Sequence, residues 1–311
     1  MKMDLGEISQ LCYNMTTSYL QWSNTTEIIS ETQDAINLTR EYFLRDIFTK
    51  WDPLSNQISF SFNGGKDCQV LLLLYLSCLW EFFFTSVQNS QFDSQYQRFP
   101  LSNISGVLIS QEAVFPSIQT FIDYGVDRYH LDMYESLPSD GKQTSMADAF
   151  QTYLDLYPNI QAIIIGVRKT DPYGDTLKLI QSTDSGWPLF DRVQPILHWK
   201  LAHIWSFILY SGEKICGLYA NGYTSIGDIN GTFPNPHLIT NGTDPLPLFF
   251  STEIENSFSM CSNNGTQNVN TLLLDEKDRI SIALFDNIYY PGWYLLEDSL
   301  EREGRVKKFK T

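Results

Sequence analysis

Ile58-Ser59-Phe60-Ser61-Phe62-Asn63-Gly64-Gly65-Lys66-Asp67-Cys68 is the stretch that decides the fold. Ile58, Phe60 and Phe62 alternate with the period of a strand. Two glycines follow, able to take backbone angles closed to other residues and to let a ligand approach the main chain. Lys66-Asp67 then opens an apolar run that predicts a helix from Asp67 to about Phe84. A helix starting directly after such a turn presents unbonded N–H groups and a positive dipole end to the loop, which is an anion site. The spacing is neither Gly-x-x-x-x-Gly-Lys-Ser/Thr nor Gly-x-Gly-x-x-Gly, so it is not one of the two commoner phosphate loops.

Strands and helices alternate outward from this unit. Residues 4–51 carry helical spacing, with Ile29, Ile36, Phe43, Ile47 and Trp51 on one face. Downstream come a polar connection over 88–100, a strand Ser105–Ser110, and a helix entered through Pro116. A short strand follows around Tyr129–Asp132, then a helix Met146–Tyr157, a buried strand Ile160–Gly166 and a helix Lys200–Tyr210. This alternation predicts an α/β fold, a doubly wound, mostly parallel sheet with helices on both faces. Ligands then belong at the carboxyl ends of the strands. Three segments meet that rule: Ser61–Asp67, Ile109–Phe115 and Gly166–Pro172. Residues 240–270 read as an irregular loop, and Glu297–Lys308 as a charged, helix-like end.

The 311 residues carry a formal net charge of −15, which argues against nucleic-acid binding. A polyphosphate ligand would need local compensation. Five scattered cysteines without Cys-x-x-Cys indicate neither a disulfide framework nor zinc, and the four histidines lack metal-ligand spacing. No signal peptide opens the sequence, and the apolar run Val70–Phe84 is interrupted by Glu81, so a buried core helix is expected rather than a membrane span. The chain is therefore expected in the cytoplasm, and as a monomer, since no coiled-coil stripe is evident.

The loop resembles the pyrophosphate loop of the ATP-pyrophosphatase and sulfonucleotide-reductase superfamily, with Ser61, Gly64, Gly65 and Asp67 in the matching roles. Further motifs narrow the resemblance. Gly166-Val167-Arg168-Lys169-Thr170-Asp171-Pro172 follows the buried strand. Thr183-Asp184-Ser185-Gly186-Trp187-Pro188, Gly222-Tyr223-Thr224-Ser225-Ile226-Gly227, Pro291-Gly292-Trp293-Tyr294 and Leu300-Glu301-Arg302-Glu303-Gly304-Arg305 come after it in order. Together they resemble the eukaryotic, in particular fungal, FAD synthetases, the FMN adenylyltransferases of sulfonucleotide-reductase-like fold. The resemblance covers about Thr26 to Arg305.

That resemblance implies the reaction of FMN with ATP to give FAD and pyrophosphate, with Mg²⁺. It implies a single domain over 1–311: N-terminal helices over 1–51, a nucleotide- and flavin-binding core over 52–230, and a C-terminal extension over 231–311 completing the flavin site. Ser61, Gly64, Gly65 and Lys66 would hold the β- and γ-phosphates, and Asn63 and Asp67 would orient Mg²⁺. The Ile109 backbone would read adenine, and Gly166 would let adenosine approach. Arg168 and Asp171 would organise the reacting phosphates. Thr183, Asp184, Ser185, Gly186, Trp187 and Arg192 would form the flavin pocket, and Arg302 and Arg305, three apart on a helix face, would reach back to it.

Residue by residue, plainer readings stand beside these. Asp67 could charge a helix N-terminus, Asp171-Pro172 and Asp184-Ser185-Gly186 are turn sequences, Trp187 could be a core aromatic, and Arg302 and Arg305 could be a solvated basic end. Arg168, directly after an apolar strand, needs a partner. Two other functions compete. A sulfonucleotide reductase needs a nucleophilic cysteine near the C-terminus, and the last one here, Cys261, sits in a polar stretch. A flavin- or nucleotide-binding protein without turnover would be expected to lack part of the cradle.

Overall fold

In a computed structural model of the chain, which describes residues 2–23, 26–88, 98–110, 113–136, 145–240 and 272–306, the strand expected at Ile58 is β1 (Ile58–Ser61). It lies inside a six-stranded sheet between β2 (Ile104–Ile109) and β4 (Ala162–Ile164). β3 (Leu131–Ser136) lies beyond β2, and β6 (Asp191–Val193) and then β5 (Ile180–Ser182) lie beyond β4. All neighbours run parallel except β5, which is antiparallel to β6. The chain builds outward from β1 through β2 to β3, then returns to β4 on the other side. The switch point therefore falls between β1 and β4, where a doubly wound sheet opens a crevice for ligands.

The apolar alternation of β1 buries Ile58 and Phe60 completely or nearly so. α3 (Lys66–Gln88) follows. It extends beyond the expected span at both ends and is long and apolar enough to cross a membrane by length and composition alone. Here it is a core helix. Leu71 to Leu74 are all at 0% exposure, each worth roughly 1.5–3 kcal/mol on burial. Its faces pack against α1 (Leu5–Leu20), α2 (Glu27–Glu41) and α6 (Leu201–Ser211). α1 is fixed at its start by a capping box: Glu7 N–H donates to Asp4 Oδ1 at 2.8 Å, and Asp4 N–H to Glu7 Oε2 at 2.8 Å.

Two expectations shift. The strand expected around Tyr129–Asp132 begins at Leu131, because α4 (Pro116–Tyr129) runs on to Tyr129 and closes through His130 at φ 52°. β5 and β6 were not anticipated. Each has three residues and carries polar side chains, below the length at which a period of two is readable. The helix Met146–Tyr157 appears as α5 (Met146–Leu156).

A third expectation is overturned. The described part of the helix expected over Glu297–Lys308, residues 297–306, is not helical throughout: a single tight turn at Asp298–Leu300 gives way to further turns, and Arg305 bridges antiparallel to Thr232. Phe233 N–H donates to Gly304 O at 2.8 Å and Val306 N–H to Gly231 O at 2.9 Å. These outward bonds replace the i→i−4 ladder. Any side chain at Gly304 would run into the Phe233 carbonyl. Before this segment come β7 (Ile215–Cys216), paired with β9 (Leu272–Leu273), β8 (Ile239–Thr240), paired with β10 (Ile288–Tyr289), and α7 (Glu276–Ala283). Most of the expected surface loop at 88–100, nearly all of the irregular 240–270 segment with Cys261, and residues 307–308 lie outside the described residues.

Candidate active site

The turn after β1 is set by two short-range devices. Gly64 takes φ +72°, and a Cβ on it would sit 3.0 Å from Ile122 Cγ1. Asn63 Oδ1 accepts from Gly65 N–H at 3.0 Å and from Cys68 Sγ at 3.0 Å. Lys66 N–H, the first donor of α3, goes to Tyr219 Oη at 3.0 Å. The cradle is thus held in shape by Asn63 and by Tyr219, through bonds that a phosphate oxygen could replace.

Beside it lies a cleft of about 330 Å³. Asn63 and Gly65 form one wall. Leu108, Ile109 and Ser110 at the end of β2, with Val114, Ile118, Ile122 and Met146, form an apolar floor. Ile226, Gly227 and Asp228 close it. Three expected residues, Asn63, Gly65 and Ile109, therefore share this cleft, and Ser61 ends the strand below them, half-buried.

Behind the cradle is a buried ion cluster. Asp67 Oδ2 meets Lys66 Nζ at 2.9 Å, and its Oδ1 lies 2.6 Å from Arg168 Nε. Arg168 Nη1 donates to Asp298 Oδ1 at 2.7 Å and Nη2 to Glu301 Oε2. Lys66 Nζ donates to the other oxygen, Glu301 Oε1. Burial opposes the charge of Asp67, but Arg168 and Lys66 outweigh it and bring its carboxyl down to about 2. Burial likewise opposes the charges of Lys66 and Arg168, and their carboxylate partners leave both above their ordinary values. Asp171 is pushed up, by burial first and by Asp67 second, although its Oδ2 accepts from Arg168 N–H at 2.9 Å.

Three expected residues take these surroundings. The side chains of Lys66 and Arg168, expected on the phosphates, are 2% and 0% exposed and paired with carboxylates. At Gly166, expected to admit adenosine, a Cβ would lie 3.0 Å from the backbone N and Cα of Cys68, so the glycine also lets the β4 exit pack on the first turn of α3.

The acid window of the cluster is testable. Asp67 titrates near about 2 in the fold against an ordinary 3.8, so its ionised form adds stability above pH 3.8 and loses it as pH falls towards 2. Asp67→Asn is expected to flatten the unfolding profile over that interval. A variant profile parallel to the native one would separate Asp67 from its cationic partners.

The expected flavin residues stand apart. Because β5 is antiparallel, the turn from Thr183 to Phe190 leaves the sheet at the edge opposite the cradle. Thr183 Oγ1 donates to Pro188 O at 2.8 Å, Trp187 N–H to Asp184 O at 3.1 Å, and Gly186 takes φ +89°. Arg192 Nη2 reaches Asp184 Oδ2 at 3.3 Å, while its Nε is buried without a hydrogen-bond partner. Ser185 is exposed, and Trp187, 40% exposed, leans on Phe150, one helical turn along α5 from Met146 in the cleft. Trp187 is therefore not a core aromatic.

Arg302 and Arg305 do converge on the cleft, though from turns rather than a helix face. Their Nη1 atoms lie 3.5 Å and 3.4 Å from Ser225 Oγ, next to Ile226 and Gly227 in its wall. Sequence reasoning missed Glu301, Asp298 and Tyr219. Glu301 had a signal, since it stands inside the Glu-Arg-Glu-Gly-Arg motif, whereas Tyr219 had none.

Residues 57–234 match the phosphoadenosine phosphosulfate reductase domain family. Over 306 residues the chain is 50% identical to the flavin adenine dinucleotide synthase of Saccharomyces cerevisiae, covering 98% of this chain and all of that protein. A probable FAD synthase of Schizosaccharomyces pombe is 38% identical over 63% of the chain and 67% of its own length. Among solved structures, a Candida glabrata FMN adenylyltransferase in complex with FAD and inorganic pyrophosphate superposes with TM-score 0.86 at 48% identity, covering 97% of this chain and 100% of that one.

Proposed function

The chain belongs to the FAD synthase family, and from that premise we infer that it is a nucleotidyltransferase joining FMN to the adenylyl group of ATP, with release of pyrophosphate. The observation that carries this is the full-length likeness to FAD-forming proteins, with the cleft and cradle intact. The phosphate of FMN attacks the α-phosphorus, an O–P bond forms, and the bond to pyrophosphate breaks. A phosphate monoester is largely dianionic near neutral pH, so the attack needs no general base. The protein's work is alignment and charge neutralisation.

We assign adenine to the apolar floor, with the Ile109 backbone at its edge, and the β- and γ-phosphates to the N–H groups of the Asn63–Gly65 turn and the start of α3. Arg302 and Arg305 would meet the phosphate of FMN, and Arg192, with its unpartnered Nε, Asp184 and Trp187 would hold the flavin. Mg²⁺ would neutralise the departing pyrophosphate. Asn63 and Asp67 suit it chemically: hard oxygen donors, one of them kept ionised, with lone pairs to spare beyond the two cationic contacts. Among the described residues no group of three or more His, Cys, Asp or Glu could hold a metal, so such an ion would draw further ligands from substrate and water.

The reductase reading is not favoured, since the relative matched over the whole chain is an FAD synthase. The four described cysteines are buried, and burial pushes the thiols of Cys68 and Cys216 up to about 12, far from a reactive thiolate. We further propose a cytoplasmic monomer whose partners are these small molecules.

Purified protein with FMN, ATP and Mg²⁺ is expected to give FAD and pyrophosphate in equal amounts, by chromatography and a pyrophosphate assay. Chelation should stop both. FMN binding without FAD would overturn turnover, and product formation unaffected by chelation would remove the metal.

A further inference from the structure

Glu301 is the carboxylate on which the two ends of the site meet. Its side chain is 6% exposed, and each of its oxygens takes one buried cation: Lys66 from the turn after β1, and Arg168 from the exit of β4. Three residues earlier, Asp298 Oδ1 accepts from Arg168 Nη1 at 2.7 Å and from Leu201 N–H at 2.9 Å. The backbone of the same turn is also tied down. Thr224 Oγ1 donates to Glu301 O at 2.6 Å, and Asn235 Nδ2 donates to Thr224 Oγ1 at 3.0 Å and to Leu300 O at 2.8 Å. The next residue is Arg302, and Arg305 follows at the bridge to Thr232.

We propose that Glu301 is a positioning residue for FAD formation, fixing the turn that carries Arg302 and Arg305 against the pyrophosphate cradle. This rests on the reading that the two arginines meet the phosphate of FMN. The physical argument is one of stiffness. Arg302 is exposed and its contact to Ser225 is long at 3.5 Å, so its own bonds do not hold it. The turn is held instead by charge-assisted bonds from two cations that cannot leave, because both are enclosed. Two loops from opposite sides of the switch point thus share one anchor, and the Glu301 side chain links the cradle directly to the turn that carries the arginines.

The test is a cycle of variants read by steady-state kinetics with each substrate varied. Glu301→Gln keeps the shape and removes the charge. It is expected to raise KM for FMN about tenfold, with KM for ATP moving far less. In a chain already carrying Arg302→Ala and Arg305→Ala, adding Glu301→Gln should change FMN use by less than about twofold, since Glu301 acts through those residues. Glu301→Asp, which retains the charge, should recover part of the loss. A fall in kcat alone, or full additivity with the arginine variants, would make Glu301 merely structural and overturn the proposal while FAD synthesis stands. An arginine double variant with native KM for FMN would instead sink the assignment of those arginines, and this proposal with it. If Glu301→Gln does not fold, Thr224→Val decides: it removes the bond to the Glu301 carbonyl and the one accepted from Asn235 Nδ2, which also ties this turn, and should raise KM for FMN about threefold. An unchanged value would refute the anchor.

Discussion

Asp67→Asn should lower FAD formation roughly a hundred- to a thousandfold while the chain still folds. Asp67 is the only cradle side chain that combines a held negative charge, near about 2 in titration, with a place at the first turn of α3. Asparagine keeps the shape and the acceptor oxygen but loses the charge. The proposed orientation of Mg²⁺ among substrate phosphates would depend on that charge, and in a water-poor site electrostatic preorganisation is worth most. Folding should survive because Lys66 keeps Glu301, and Arg168 keeps both Glu301 and Asp298. Single-turnover formation of FAD, with circular dichroism to confirm the fold, checks this. More than a tenth of native activity would place Asp67 outside the chemistry.

The second large effect is on stability. Arg168→Met should cost roughly 3–5 kcal/mol, because removing one partner of a buried ionic group leaves the others uncompensated. Arg168 is fully enclosed and touches three carboxylates. Methionine fills similar volume, so a cavity would contribute little. Urea unfolding should show a lower midpoint at unchanged slope. A loss below about 1 kcal/mol would mean that the three carboxylates tolerate one another without it, and would favour the phosphate role that the family resemblance implies for the guanidinium.

The contrast between these two residues shows what was legible in the chain. The Ile58–Cys68 stretch gave its strand, turn and helix correctly, because period, glycine and dipole all act within a few residues. The parallel order followed from alternation. β5 and β6 were unreadable at three residues each, being stabilised by pairing with each other and with β4 rather than by any pattern of their own. Arg168 was recognised as a charge in need of a partner, but its partners Asp298 and Glu301 lie 130 and 133 residues away, beyond local reasoning. The charged end at Glu297–Lys308 read as helical because propensity carries no information about Gly231 and Phe233, whose backbones claim its hydrogen bonds.

The Lys66–Glu301 bond spans 235 residues. At a synthesis rate of about 5–20 residues per second, a nascent chain carries its nucleotide loop for on the order of 10–50 s before the residue that clamps it has been made. Through most of that interval the growing polypeptide holds Asp67 as the acidic side chain paired with both the Lys66 and Arg168 side chains. The order of translation thus withholds this clamp until 235 residues beyond the loop have been made.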